Sequence, residues 1–327
     1  MESQTGKTAL ITGATSGIGL ELARLFAQDG YNLVLVARQE DSLRRVATDF
    51  EQQYNIRATT IAKDLMETNA PEEIYQQTRQ QGITVDVLVN NAGMGEYGKF
   101  ATETDLQKEL GIIQLNATSL VHLTKLYLKE MVTRNEGKIL MLASVVSAIP
   151  NPLMAVYGAT KSFIYSFAEA LRNELKDTQI TVTALMPGAT ATDFFNKAGA
   201  QNAKVTDSDL ADPAKVAKDG YDALMQGKDK VVSGFKNKMQ VAMSHVLPDT
   251  VVSEAMRNMM NEKGYEEEAD EEHESLTPLA IGLGLATVVL AAGIFLTASY
   301  TNANWYEKRR YKEKLKSLTN ALTPSLN

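Results

Sequence analysis

The sequence predicts a doubly wound α/β fold built on a parallel sheet, with an appended C-terminal transmembrane helix. Three observations carry that prediction. A short apolar run at 7–12 (KTALIT) enters a glycine turn, GATSGIG at 13–19, and then an amphipathic stretch, LELARLFAQDG. Strand, glycine turn and helix in that order make a nucleotide-binding beginning. Further short apolar runs alternate with helical patterns, as strands buried on both faces of a parallel sheet require. Last, 278–300 contains no charged residue and is rich in Leu, Ile, Val, Ala and Gly, and about 20 such residues suffice to cross a bilayer as a helix.

Composition sets the limits. With 327 residues, 44% of them hydrophobic, the chain can form one α/β domain of about 250 residues plus an appendage. It has no Cys, which removes disulfides, thiolate catalysis and Cys-ligated metals. His122, His245 and His273 are too scattered for a metal site, so no metal is expected. The net charge of -7 gives no support to nucleic-acid binding. A strand that starts so near the N-terminus leaves no room for a signal peptide, and none is expected.

In the glycine turn, Gly13 permits a tight bend, Gly17 lets backbone N–H groups approach a pyrophosphate, and Gly19 allows helix to pack on strand. The spacing G-x-x-x-G-x-G departs from G-x-G-x-x-G, so the correspondence is one of mechanism. A second strand at 32–36 ends at Ala37 and Arg38. No carboxylate stands there to take a ribose 2′-hydroxyl, while Arg38 suits a 2′-phosphate, so NADPH is expected over NADH. The plainer reading is a solvated arginine before the helix around 42–50. The third strand, 56–61, is closed by Asp64 and Leu65, a carboxylate within reach of an adenine amino group. The fourth, 85–89, ends in NNAG at 90–93, where small residues and amides suit a chain passing close to a cofactor.

Helical patterns follow at 104–116 and 117–134. A strand at 138–142 then delivers Ser144, a hydroxyl that can hydrogen-bond a substrate oxygen. Tyr157 and Lys161 lie four residues apart in a helical pattern, so they share one face. A neighbouring ammonium favours the phenolate and is expected to bring the tyrosine towards its working range. A strand at 180–185 leads into PGATAT at 187–192. A helix at 212–226 has Asp212 as N-cap and Pro213 at its first position, and 230–233 is the last strand. Beyond it, 236–247 and 250–261 are apolar-basic and Met-rich. They read as helices over a substrate mouth or near a membrane, with core packing as the plainer reading.

On Thr12, GATSGIG, Asp64, NNAG, Asn116, Ser144, Tyr157, Lys161 and Pro187-Gly188 with Thr192, in that order, the chain resembles the short-chain dehydrogenase/reductase family in its classical form. The resemblance implies one doubly wound (Rossmann) domain with a seven-stranded parallel sheet and hydride transfer between NAD(P)H and a carbonyl or alcohol. It implies Tyr157 as general acid, Lys161 as the group that lowers its pKa and holds the nicotinamide ribose, Ser144 as the residue polarising the carbonyl, and Asn116 as holder of a relay water. Ser147 is the rival of Ser144. The implied cofactor-binding set is Thr12, Gly13, Ser16, Gly17, Ile18, Gly19, Arg38, Asp64, Leu65, Asn90, Ala92, Gly93, Tyr157, Lys161, Pro187, Gly188, Thr190 and Thr192. It also implies a dimer or tetramer paired through the helices at 117–134 and 155–176. Segments near the site bring Met94, Val145, Ile149, Pro150, Leu153, Met154, Phe194 and Phe195, so a hydrophobic ketone is expected.

The resulting organisation is a catalytic domain at 1–235, its helical extension at 236–262, an acidic linker at 263–277 (EEEADEEHE within it), the transmembrane helix at 278–300 and a basic tail at 301–327. Basic residues after the span argue for a cytoplasmic tail, whereas a missing signal peptide and the need for NADPH argue for a cytosolic catalytic domain. Long domains escape the charge rule, so a single-pass membrane protein with its enzyme domain in the cytosol is favoured. Ala280/Gly284 and Gly282/Ala286 have the small-xxx-small spacing of paired membrane helices. The expected function is a membrane-tethered NADPH-dependent carbonyl reductase. The alternatives are a 3-oxoacyl-thioester reductase and a noncatalytic NADPH-binding sensor or scaffold.

Overall fold

A computed structural model describes residues 6–264; the expected membrane span, the basic tail and most of the acidic linker lie outside the described residues. Seven strands form the centre: β1 (Thr8–Thr12), β2 (Asn32–Ala37), β3 (Ala58–Ala62), β4 (Val87–Asn90), β5 (Gly137–Leu142), β6 (Ile180–Met186) and β7 (Lys230–Val232). All pair in parallel, in the order β3-β2-β1-β4-β5-β6-β7. The central strands read as unbroken apolar runs because helices cover both faces; every residue of β1 and β4 is buried.

The helices divide between those faces. Against one face lie α1 (Gly17–Gln28), α2 (Glu40–Tyr54) and α8 (Pro213–Met225), which bury Leu22, Phe26, Leu43, Phe50 and Tyr221 with the outward residues of β1 and β2. Against the other lie α3 (Ala70–Gln80), α5 (Ser119–Arg134) and α6 (Ala155–Glu174), burying Ile74, Leu123, Tyr127, Met131 and Ile164. Asp212 caps α8 as expected, accepting from Ala214 N–H at 3.0 Å. Strand order reverses between β1 and β4, so a crevice opens at the carboxyl ends of those strands, where such sheets bind ligands.

Two departures from the sequence reading matter for the site. The helical patterns at 104–116 and 117–134 are one rod: α4 (Leu106–Ile113), a single π-turn at Gln114–Thr118, and α5. The extra residue in the π-turn re-aims the side chains around Asn116. A helix at 70–80 was absent from the sequence reading. At the other end, α7 (Phe194–Lys197) is a single turn, and α9 (Phe235–Ser244) and α10 (Asp249–Met260) follow β7. Met256 and Met260 of α10 are buried in a third cluster with Val145, Ile149, Met154 and Val205. By contrast, α9 buries none of its residues.

Candidate active site

The glycine turn is dictated by backbone geometry. Gly13 and Gly17 have φ of +68° and +57°, a region that residues with a Cβ seldom occupy. A Cβ on Gly19 would stand 2.3 Å from both the Gly13 carbonyl oxygen and Asn91 Nδ2, so a methyl group there cannot be seated without moving backbone. Thr12 and Asn91 join the turn to the end of β4: Asn91 Nδ2 donates to the Thr12 carbonyl at 2.8 Å, and the N–H groups of Asn91 and Ala92 both donate to Thr12 Oγ1 at 3.0 Å. Ser16, the N-cap of α1, makes no side-chain cap. The first-turn N–H groups of that 12-residue helix therefore face the crevice without a protein acceptor supplied by the cap.

Above the turn lies one continuous cavity of about 990 Å³. One end, bordered by Arg38, Lys63, Asp64 and Leu65, follows the ends of β2 and β3. Its middle is walled by Ala92, Gly93, Gly95, Ser144, Tyr157, Lys161 and the segment 187–192. The other end is an apolar chamber of Val145, Val146, Met154, Phe194, Phe195, Val205, Met256 and Met260.

Most of the expected site residues border this cavity, namely Gly13, Ser16, Gly17, Ile18, Gly19, Arg38, Asp64, Leu65, Ala92, Gly93, Ser144, Tyr157, Lys161, Pro187, Gly188, Thr190 and Thr192. Three do not. Thr12 is buried beneath the turn. Asn90 points to the opposite side of β4, where its Nδ2 donates to Thr124 Oγ1 at 2.9 Å. The Asn116 side chain is spent on protein groups: Nδ2 donates to the Met94 carbonyl (2.9 Å) and to Thr160 Oγ1 (3.0 Å), and Oδ1 accepts from Met94 N–H (3.0 Å). These three shape the wall from behind, because β-strand alternation and the π-turn point their side chains into protein.

The chemical centre is held by a serine that the sequence offered as a rival. Ser147 Oγ accepts from Ser144 N–H at 3.1 Å and donates to the Lys161 carbonyl at 2.8 Å, closing a capping box on the short 3₁₀ turn Val145–Ser147. Ser147 thus ties the end of β5 to α6, and Ser144 is the hydroxyl left facing the cavity and Tyr157. Lys161, 3% exposed, donates from Nζ to the Leu142 carbonyl at 2.7 Å and sits 5.6 Å from the centre of the Tyr157 ring.

Here the expected pKa coupling fails. Burial pushes the Tyr157 phenol up to about 12, with only the Ser144 hydroxyl pulling it down, and burial pushes Lys161 down to about 7. Desolvation outweighs attraction because the ammonium is turned to a backbone carbonyl and not to the phenol oxygen. One contact escaped the sequence reading. Gly95 packs against the chamber wall: a Cβ there would lie 2.5 Å from Met154 Cε, 3.1 Å from Phe194 Cζ and 3.4 Å from Tyr157 Cδ2, so Met154 and Phe194 would have to shift. Met256 and Met260 lie in the Met-rich 250–261 segment that the sequence offered as a helix over a substrate mouth or as core packing, and they border the chamber.

The residues present fit a phosphorylated dinucleotide. A bare helix N-terminus sits under a glycine cradle that any Cβ would fill. Arg38 is exposed at the end of β2 with no ion pair among the described residues, and neither neighbour, Ala37 or Gln39, is a carboxylate.

Known proteins agree with this architecture. The chain is similar to the very-long-chain 3-oxoacyl-CoA reductase of Mus musculus, 36% identical over 192 residues, which are 57% of this chain and 60% of that protein. It thus matches about three fifths of that relative's length. It is similar in fold to a short-chain dehydrogenase from Sphingobium yanoikuyae solved with NADPH (28% identity, TM-score 0.66, 73% of this chain and 94% of that one). A ketone-specific alcohol dehydrogenase for bulky-bulky ketones from Comamonas testosteroni is also similar (28% identity, TM-score 0.63, 73% and 93% covered). Residues 7–203 match the short chain dehydrogenase family model, and with the seven-stranded parallel sheet around it, the chain belongs to the short-chain dehydrogenase family.

Proposed function

We propose that this oxidoreductase reduces the 3-oxo group of long-chain acyl thioesters with NADPH, at a membrane to which its C-terminal stretch at 278–300 tethers it. The observation that carries the reading is the single cavity in which Ser144, Tyr157 and Lys161 stand between a dinucleotide cradle and an apolar chamber. The 3-oxoacyl-CoA reductase activity for which the mouse relative is named supports the thioester; a general hydrophobic ketone is the broader form of the same reading. The Sphingobium structure with NADPH and the unpaired Arg38 support the phosphorylated cofactor.

The bound nicotinamide supplies the hydride. Glycines 13, 17 and 19 with the α1 N-terminus hold the pyrophosphate, Arg38 the 2′-phosphate, and the 187–192 segment the nicotinamide end. Ser144 Oγ orients the substrate carbonyl by a hydrogen bond. Tyr157 gives its proton to the oxygen as negative charge develops there. A phenol pushed up to about 12 is fully protonated at neutral pH and still far more acidic than an alcohol, so burial suits it to the reductive direction. Lys161, 5.6 Å from the centre of the Tyr157 ring and held by the Leu142 carbonyl, is placed to bind the nicotinamide ribose. Chamber side chains exclude water and hold the acyl chain. A noncatalytic sensor would have no use for Ser144, Tyr157 and Lys161 together on the cavity wall.

The test follows NADPH oxidation by the full chain in lipid against 3-oxoacyl-CoA compounds of rising chain length and against free ketones. Turnover that grows with chain length and vanishes in Tyr157→Phe is expected. Turnover of free ketones alone would reject the thioester and leave the reductase. No turnover with any carbonyl despite NADPH binding would favour the sensor. For the cofactor, Arg38→Ala should weaken NADPH binding by about 10- to 100-fold, the loss of one or two charge-assisted bonds, and leave NADH nearly unchanged.

A further inference from the structure

The helix α9 is an anomaly in this domain. It has ten residues and buries none of them, yet it is not a polar helix. Phe235 is 71% exposed and Met239, one turn on along the same face, 45% exposed; Val246, in the turn that follows, is 59% exposed, and Met259 of α10 is 40% exposed. A solvated helix would carry its apolar residues inward. Phe235 and Met259 also border the cavity at the end of the chamber, and Met239 continues the Phe235 face of α9. On α9 itself the charges are of one sign: Lys236 and Lys238 have no acidic partner among the described residues, and no Asp or Glu occurs between Phe235 and Pro248, whereas α10 carries Asp249 and Glu254 beside Arg257.

We propose that the α9–α10 rim is a monotopic membrane-docking surface, seated on the phospholipid headgroups so that the chamber opens into the bilayer and takes its acyl substrate from there. Large apolar side chains beside unpaired lysines are the pattern of a segment lying in the interface, with the apolar part among acyl chains and the ammonium groups at lipid phosphates. The position in the chain points to the same occupant. The described residues end at Gly264, four residues after α10, and the charge-free stretch at 278–300 begins 14 residues beyond it. A rim followed so closely by a segment long enough to cross a bilayer works beside lipid. In this arrangement the thioester enters between Phe235 and Met259 until its 3-oxo group reaches Ser144 and Tyr157, and the acyl chain rests in the chamber. The inference rests in part on the membrane-tether reading, and its test separates the two.

Because the chain has no Cys, single cysteines report cleanly. Met239→Cys and Val246→Cys place an environment-sensitive fluorophore on the rim. Val132→Cys places it on α5, exposed at the opposite end of the sheet, and Val289→Cys places it in the charge-free stretch. The labelled full chains are reconstituted in vesicles of phosphatidylcholine and phosphatidylserine with and without nitroxide-bearing lipid, after a cofactor-dependent rise in melting temperature has shown each to be folded. Labels at 239 and 246 are expected to lose roughly half their emission to the lipid nitroxide, and the label at 132 none. Quenching at 289 without quenching at 239 and 246 would overturn the docking surface and leave the tether. The reverse pattern would sink the tether and uphold the docking. Absence of quenching at all three would remove both, and a second copy of the chain covering the rim would then show as a concentration-dependent spectral shift without lipid.

Discussion

Ser144, Ser147, Tyr157 and Lys161 form a unit in which three residues border the cavity and one aligns them. Ser147 touches neither cavity nor phenol, yet holds Ser144 N–H and the Lys161 carbonyl. Ser147→Ala should therefore lower kcat about tenfold, roughly 1.4 kcal/mol, with KM for substrate little changed and with partial recovery in Ser147→Thr, whose hydroxyl can make the same bonds. Lys161 offers a test that needs no substrate. Its folded pKa of about 7 lies below its ordinary 10.5, so between those values the unfolded chain holds a proton that the folded chain lacks, and stability rises with pH across that window. Tyr157 acts oppositely above its ordinary value, holding its proton to about 12 and removing stability there. Urea midpoints of the cofactor-free protein should climb from neutral pH towards pH 10, and Lys161→Met should flatten the climb while abolishing turnover. The Tyr157–Lys161 pair was legible because four-residue spacing fixes a shared face. The direction of its pKa shifts was not, since that depends on which oxygen the ammonium meets, here the Leu142 carbonyl.

Among the elements, the β1–turn–α1 unit is the one whose local sequence and tertiary role coincide. Gly19→Ala would drive a methyl into the Gly13 carbonyl at 2.3 Å. It should cost about 1–3 kcal/mol of stability by overpacking and abolish measurable NADPH binding, checked by thermal unfolding and cofactor titration. This unit could be read in advance because each glycine answers a backbone demand. The rod of α4, π-turn and α5 could not: one extra residue in a helical repeat leaves no mark on the apolar pattern, and it decides that Asn116 braces the Met94 backbone. For α3 the signal was weak for another reason. Its sequence, APEEIYQQTRQ, buries only Ala70, Pro71, Ile74 and Thr78, too few positions to stand out as a stripe. Asn90 and Asn91 show the same limit at a strand end, where adjacent residues face opposite sides and only packing decides which amide reaches the turn.

For the molecule as a whole, the alternation of strand and helix carried the fold, because a parallel sheet must be covered on both faces and right-handed crossovers leave few arrangements. What composition could not convey was how the C-terminal helices return to the first half of the chain. Met256 and Met260 meet Val145 and Met154 across about a hundred residues, and only the closed chamber makes that contact visible. The completed domain should gain stability on binding its cofactor, by about 2.7 kcal/mol at a concentration 100 times Kd, read as a rise in melting temperature that Arg38→Ala reduces for NADPH. The cavity's continuity has a further, kinetic consequence. Cradle and chamber share the walls at Gly93, Gly95 and 187–192, so a seated dinucleotide supplies part of the surface that the second reactant rests on. Addition should therefore be compulsory in order, with nucleotide entering first and leaving last. Initial-rate patterns would then show the oxidised nucleotide competing with the reduced one, and the alcohol product competing with neither.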